Sequence, residues 1–253
     1  MKRTLLGLAM ILATGSASAT MFTNGGFESG DLSGWTGGGG YWSGVPDAPV
    51  DPSIYNSGTP NNTVVGAGTD AITGANTVFS GNYAVRVNDA NPGSGVSTLR
   101  QSVTGYEEDN IFFAWNAVLE GSHGLTDSDY FSLTLTDDTT GTTLVSRSYS
   151  SAGSIGDGTS GVNWSEFGGW LSSGWVVENI DLAELGVVGH DFTLTLLASD
   201  CAHSGHAGYV YLDGFGAENP PPSNEVPEPS SLILLSLGAL ALGLARRRTG
   251  TAA

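Results

Sequence analysis

The chain has 253 residues, with 8 basic and 25 acidic side chains and a formal net charge of −17. Between Arg3 and Arg246 the only cations are Arg86, Arg100 and Arg147, so the body repels phosphate backbones and a nucleic-acid partner is excluded. One cysteine, Cys201, rules out an intrachain disulfide framework and a multi-cysteine zinc site, and 38 glycines leave few segments able to sustain a long helix.

The first segment is an export signal. Lys2 and Arg3 precede the apolar run Leu5 to Ala13, and Ser16-Ala17-Ser18-Ala19 supplies a small-residue site with cleavage expected after Ala19. Residues 1–19 are therefore a signal peptide, and the fold begins at residue 20.

Residues 20–219 read as one all-β domain. The stretch from Gly37 to Asn76 is irregular, and long loops with one or two short strands are expected there. Strands follow over Tyr83 to Asn88, Ser97 to Val103, Asn110 to Leu119, Asp129 to Thr136 and Thr143 to Tyr149. Three more are expected over Trp175 to Ile180, Phe192 to Ala198 and Gly208 to Phe215, each bounded by Gly, Asn, Asp or Ser. Ile111, Phe113, Trp115, Ala117 and Leu119 fall on one face by period two, as do Phe131, Leu133 and Leu135, or Phe192, Leu194 and Leu196. Eight or more such strands predict a two-sheet antiparallel sandwich of jelly-roll type.

A stiff linker of three prolines, Pro220 to Pro222, fills residues 220–225. Then come Pro227-Glu228-Pro229, an uncharged run from Ser230 to Ala245, and Arg246-Arg247-Arg248. A transmembrane helix over about 231–245 is expected, with the arginines holding its far end on the cytoplasmic side. The three elements in this order resemble the PEP-CTERM sorting signal of Gram-negative bacteria, here residues 226–253. That resemblance implies exosortase as processing partner, removal of the tail, and delivery to the outer surface or extracellular matrix; a permanent single-span anchor is the alternative.

The body carries a second resemblance. Asn24-Gly25-Gly26-Phe27-Glu28-Ser29-Gly30-Asp31-Leu32-Ser33-Gly34-Trp35 resembles the opening of galactose-binding-like jelly rolls, the fold of many carbohydrate-binding modules. Ser80 to Val87, Gly95 to Val103, Gly174-Trp175, Ile180-Asp181-Leu182 and Gly208 to Phe215 match later parts of that pattern in order. The resemblance implies a structural Ca²⁺ between the first and last strands, with Glu28, Asp213 and backbone carbonyls near Asn24 to Gly26 as ligands. Hard carboxylate and carbonyl oxygens suit that ion, although both acids also read as ordinary strand-end residues facing water.

Cys201, His203 and His206 form the densest cluster of soft donors, which favour zinc or copper. The Asp-Cys…Gly-His-x-Gly-Tyr pattern also resembles bacterial surface jelly rolls, where cysteine and histidine pack within the turn between the last two strands. The resemblance brings His123 towards His206. Packing of a buried Cys201 is the favoured reading and a metal site the alternative.

Aromatic side chains could stack on sugar rings. Trp35, Tyr41 and Trp42 share a Gly-rich stretch, and Trp164, Phe167, Trp170 and Trp175 cluster after a Gly/Ser-rich loop. Trp35 and Trp175 match core positions, which leaves Trp42, Trp164 and Trp170 as ligand-stacking candidates. No catalytic motif is present, and paired acids such as Glu107-Glu108 and Asp137-Asp138 fall in turns. The sequence therefore predicts a non-catalytic surface or matrix protein that binds exopolysaccharide or another glycan. A secreted hydrolase acting on polysaccharide through carboxylates of the sandwich or its loops is the alternative.

Overall fold

The computed structural model describes residues 21–42, 51–124, 127–152 and 161–216. By its internal contacts the chain divides into Met1–Glu218 and Asn219–Ala253. Ala19 and the leader lie outside the described residues, as do the linker, Pro227, Glu228, Pro229, the apolar run and Arg246, Arg247 and Arg248. Among the described residues no helix is long and apolar enough to cross a membrane.

Period-two alternation builds two antiparallel sheets. The first runs β1 (Thr36–Tyr41), β4 (Gly95–Val103), β11 (Phe192–Ser199), β6 (Tyr130–Asp137), β7 (Thr142–Ser150) in spatial order. The second runs β2 (Asn62–Gly66), β3 (Tyr83–Val87), β12 (Gly208–Asp213), β5 (Asn110–Glu120), β9 (Trp170–Ser172), β8 (Ser165–Phe167), and β10 (Val176–Asp181) shares the β9 edge of β5. The one α-helix among the described residues, α1 (Leu182–Leu185), is a single turn between Asp181, whose side chain accepts from Glu184 N, and Gly186 in the left-handed region. This is the jelly-roll sandwich the alternation predicts.

The inward faces are the predicted ones. Phe113, Trp115 and Leu119 of β5 meet Phe131 and Leu133 of β6 and Leu194 and Leu196 of β11 in one core, and all are fully buried. The Trp115 and Phe131 rings lie 5.0 Å apart.

Strand β1 goes against propensity, because four of its six residues are glycine. A Cβ at Gly38 would lie 2.0 Å from the Tyr55 carbonyl oxygen, and one at Gly39 would lie 2.3 Å from that of Thr59. The segment carrying the 3₁₀ turn Pro52–Tyr55 is thus laid directly on the strand, and only glycine leaves room for it. Tyr55 packs there with Trp42, Val96, Tyr130 and Leu197 in a second, smaller cluster.

The outer face of the second sheet is also covered. Asp70, in the segment between β2 and β3, accepts hydrogen bonds from the hydroxyls of Tyr209 at 2.7 Å and Tyr211 at 2.8 Å. Burial pushes the Asp70 carboxyl up, but hydrogen bonds from Thr73 and the two tyrosines outweigh it and hold it below the usual range. Burial and that carboxylate raise both phenols.

Candidate functional site

One end of the sandwich opens into a cleft of about 500 Å³ between β1, the segment before β2, and the connection from β3 to β4. Its floor is Asp200, just beyond β11 and 2% exposed. Oδ1 accepts from Asn88 Nδ2 at 2.8 Å and Oδ2 from Gly95 N at 3.0 Å. Burial lifts this carboxyl to about 6 against those two hydrogen bonds. Asn88 holds a left-handed conformation at φ 65°, and its amide also donates to the Gly208 carbonyl at 2.8 Å. One side chain therefore ties the start of the loop to the final hairpin.

The walls of the cleft are amides and a second acid. Asp89 accepts from Asn91 N at 2.8 Å, from Asn91 Nδ2 at 2.9 Å and from Asn61 Nδ2. Burial raises this carboxyl, but the Asn91 and Asn61 bonds and the charge of Arg86 outweigh it and leave it below its ordinary value. Asn61 and Asn91 are exposed and keep amide capacity for a ligand. Tyr41, the last residue of β1, lines the rim with 82% of its surface exposed. The cleft thus offers planar amides, a carboxylate and one aromatic ring, groups that bond hydroxyls and cover an apolar ring face.

The tryptophan candidates lie elsewhere. Trp42 is 8% exposed; its Nε1 donates to the Asp200 carbonyl at 2.8 Å, so it supports the cleft from beneath. Consecutive strand residues point to opposite sides, and Trp42 falls on the outer face of the first sheet, where it packs with Tyr55, Val96, Tyr130 and Leu197. Trp164 is half-buried against the main core, edge-on to Tyr149 at 5.4 Å. Trp170 is half-buried beside Tyr209 at 6.0 Å. Trp42 is thus buried, whereas Trp164 and Trp170 are packed on one side and keep part of their surface exposed. Trp35 is in the core as expected, whereas Trp175 packs on the outer face of the second sheet and donates to the Asn76 carbonyl at 2.9 Å.

Glu28 and Asp213 do approach one another. The opening segment forms turns instead of a strand, and Phe215 N donates to the Gly25 carbonyl at 3.1 Å, which seats the segment beside the end of β12. Asp213 is fully buried. Its Oδ2 accepts from Phe79 N and Ser80 N, both at 2.9 Å, while Oδ1 is buried with no hydrogen-bond partner. Burial lifts the carboxyl to about 7, and the Glu28 charge adds to the rise. Glu28 is exposed and accepts from Asn82 N at 2.8 Å, Asn82 Nδ2 at 3.0 Å and Tyr83 N at 3.0 Å. The Asn24 and Gly25 carbonyls already accept hydrogen bonds, from Phe27 N and Trp35 Nε1 and from Phe215 N respectively. Asp213 Oδ1 thus fits a cation ligand, and the Asn24 and Gly25 carbonyls fit less well.

A second cavity, of about 510 Å³, lies over the outer face of the first sheet, lined by Thr36, Asn56, Arg100 and Ser102 among others.

Residues 225–248 match the PEP-CTERM protein-sorting motif. The chain carries that motif. The arrangement Pro227-Glu228-Pro229, apolar run and Arg246 to Arg248 is the one identified in the sequence. No curated protein matches the chain. Solved structures similar to it include TmCBM61 in complex with β-1,4-galactotriose, 16% identical over 78% of this chain and 97% of that one, with a TM-score of 0.41. Caldicellulosiruptor saccharolyticus CBM27-1 in complex with mannohexaose is 12% identical over 79% of this chain and 96% of its own, with a TM-score of 0.38. The K1 cleaved adhesin domain of Lys-gingipain from Porphyromonas gingivalis W83 is 12% identical over 74% and 92%, with a TM-score of 0.37.

Proposed function

We propose that the protein is an exosortase-sorted surface or matrix protein whose sandwich binds carbohydrate non-catalytically in the cleft between Tyr41, Asn61, Asp89 and Asn91. The observation that carries this reading is the cleft itself. Exposed amides stand beside an exposed phenol ring, on a floor that Asp200, Asn88 and Trp42 hold rigid. Such a site costs little ordering on binding. The sorting motif supports surface delivery, where exopolysaccharide is the available polymer. A glycan array with the purified protein tests the reading. Binding should appear for a defined glycan class and fall at least tenfold in Tyr41→Ala and Asn91→Ala, and unchanged binding in both variants would contradict it.

The two carboxylates in the cleft favour hydrolysis as the second reading. Against it, both Asp200 oxygens are engaged inside the protein and the residue is almost wholly buried. Product release from the bound glycan, abolished in Asp89→Asn, would establish the hydrolase.

Calcium belongs to the same proposal as a structural ion. Asp213 Oδ1 and the Glu28 carboxylate would hold it and join the N-terminal segment to β12, with charge neutralisation of a buried acid as its contribution.

A further inference from the structure

The turn between β11 and β12 gathers soft donors that neither the cleft nor the calcium reading uses. Cys201 is fully buried at the start of this turn. Its N–H donates to the His206 carbonyl at 3.0 Å, so the loop closes on itself, and Ser204 takes a left-handed φ of 60° to let it close. The closure turns the N–H groups of Gly205 and His206 onto Cys201 Sγ, at 3.2 and 3.3 Å. Two backbone donors thus fix the position of the sulfur within the turn. His123 arrives from the loop after β5, with its ring 4.6 Å from that of His206. One donor atom each from His123, Cys201 and His206 lie within 4.8 Å of one another. His206 Nδ1 is buried with no hydrogen-bond partner, a cost that packing alone does not explain.

We propose that Cys201, His123 and His206 bind one transition-metal ion, zinc or copper, through one thiolate and two imidazoles. Asp127 is a positioning residue for this site. Its Oδ2 lies 3.8 Å from His123 Nδ1, which leaves the other ring nitrogen, on the side of Gly205, to face the metal. The same oxygen lies 3.3 Å from Nε2 of the more exposed His203, which serves as a control position. Metal bonds of about 2.0–2.3 Å require the donors to draw in by roughly 1 Å. The exposed His123 can supply that movement. A thiolate with two imidazoles selects zinc or copper over calcium, and the geometry completes differently for each: tetrahedral with a fourth ligand for zinc, trigonal for copper.

The test is metal uptake by the purified protein, incubated with zinc sulfate or copper(II) sulfate, desalted and assayed by elemental analysis. One equivalent of either metal is expected, with Cys201 shielded from thiol reagents. A visible thiolate-to-copper band identifies copper, and the visible ligand-field bands of four-coordinate cobalt(II), substituted for zinc, mark the zinc geometry. His123→Ala, at an exposed position that should leave the fold intact, and Cys201→Ser should both abolish uptake. His203→Ala should retain it, and Asp127→Asn should weaken affinity about 10- to 100-fold. No more metal in the wild type than in His123→Ala would overturn the proposal. So would stoichiometric metal persisting in Cys201→Ser, which would show binding by surface histidines alone.

Discussion

Arg147 of β7 and Glu178 of β10 join the two sheets of the sandwich at its edge. Arg147 Nε meets Glu178 Oε1 at 2.7 Å and Nη2 meets Oε2 at 2.7 Å, while Trp115 Nε1 donates to Oε1 at 3.1 Å. The Glu178 side chain is 9% exposed and that of Arg147 35% exposed, so loss of the arginine leaves a nearly buried negative charge. Arg147→Met should destabilise the fold by about 2–3 kcal/mol, and the double variant Arg147→Met/Glu178→Leu should regain most of that loss. Denaturant unfolding measures both, and a single variant within about 0.5 kcal/mol of wild type would show the bridge to be neutral.

Asp129 gives the fold a pH dependence. It is fully buried beside Ser122, Ser151 and the Glu120 charge, and burial pushes its carboxyl up to about 8 despite the serine hydroxyls. The unfolded value is near 3.9, so between about pH 4 and pH 8 the folded state holds a proton that the unfolded state releases. Its contribution is fully present below about pH 4 and is lost as pH rises towards 8, at up to about 1.4 kcal/mol per pH unit. Thermal melts of the wild type should therefore fall from pH 5 to pH 8 more steeply than those of Asp129→Asn. Parallel pH profiles would show that this group is not protonated in the fold.

Calcium has its own test. A ligand that binds only the folded state stabilises it by mass action, by about 2.7 kcal/mol at a hundredfold excess over Kd. Excess chelator should lower the melting temperature of the wild type and leave Asp213→Ala unaffected. Equal melts with and without chelator in the wild type would remove the ion from the account.

The sorting motif at residues 225–248 carries a processing prediction. Intact-mass analysis of the protein from cell surface or matrix should show a species ending before Leu232 and starting at Thr20. A mature form that keeps Arg246 to Arg248 would mean a permanent anchor instead.

Strands with apolar alternation were legible from the sequence because burial of one face dictates it. β5, β6 and β11 lie where their patterns put them, each within one residue at either end. β1 was not legible, because its glycines report contact with the segment at 55–59, a tertiary fact that no local pattern carries. For the same reason Trp42 was misplaced: it lies on the outer face of the first sheet and is buried because the segment carrying Tyr55 covers that face. The cleft had a faint signal in Asn88-Asp89-Ala90-Asn91, a run of turn-forming side chains that a loop alone would also explain. Asn61 had none, since only the fold brings it to Asp89. His123 was brought towards His206 by resemblance, and the pairing of β5 with β12 supplies the physical reason.

The most direct measurement of the central claim is the location of bound glycan. Backbone amide shifts of the isotopically labelled protein, titrated with the best ligand from the array, should move at Tyr41, Asn61, Asp89 and Asn91. Shifts confined to Arg100, Ser102 and Thr36, around the cavity on the outer face of the first sheet, would contradict the assignment of the site to this cleft.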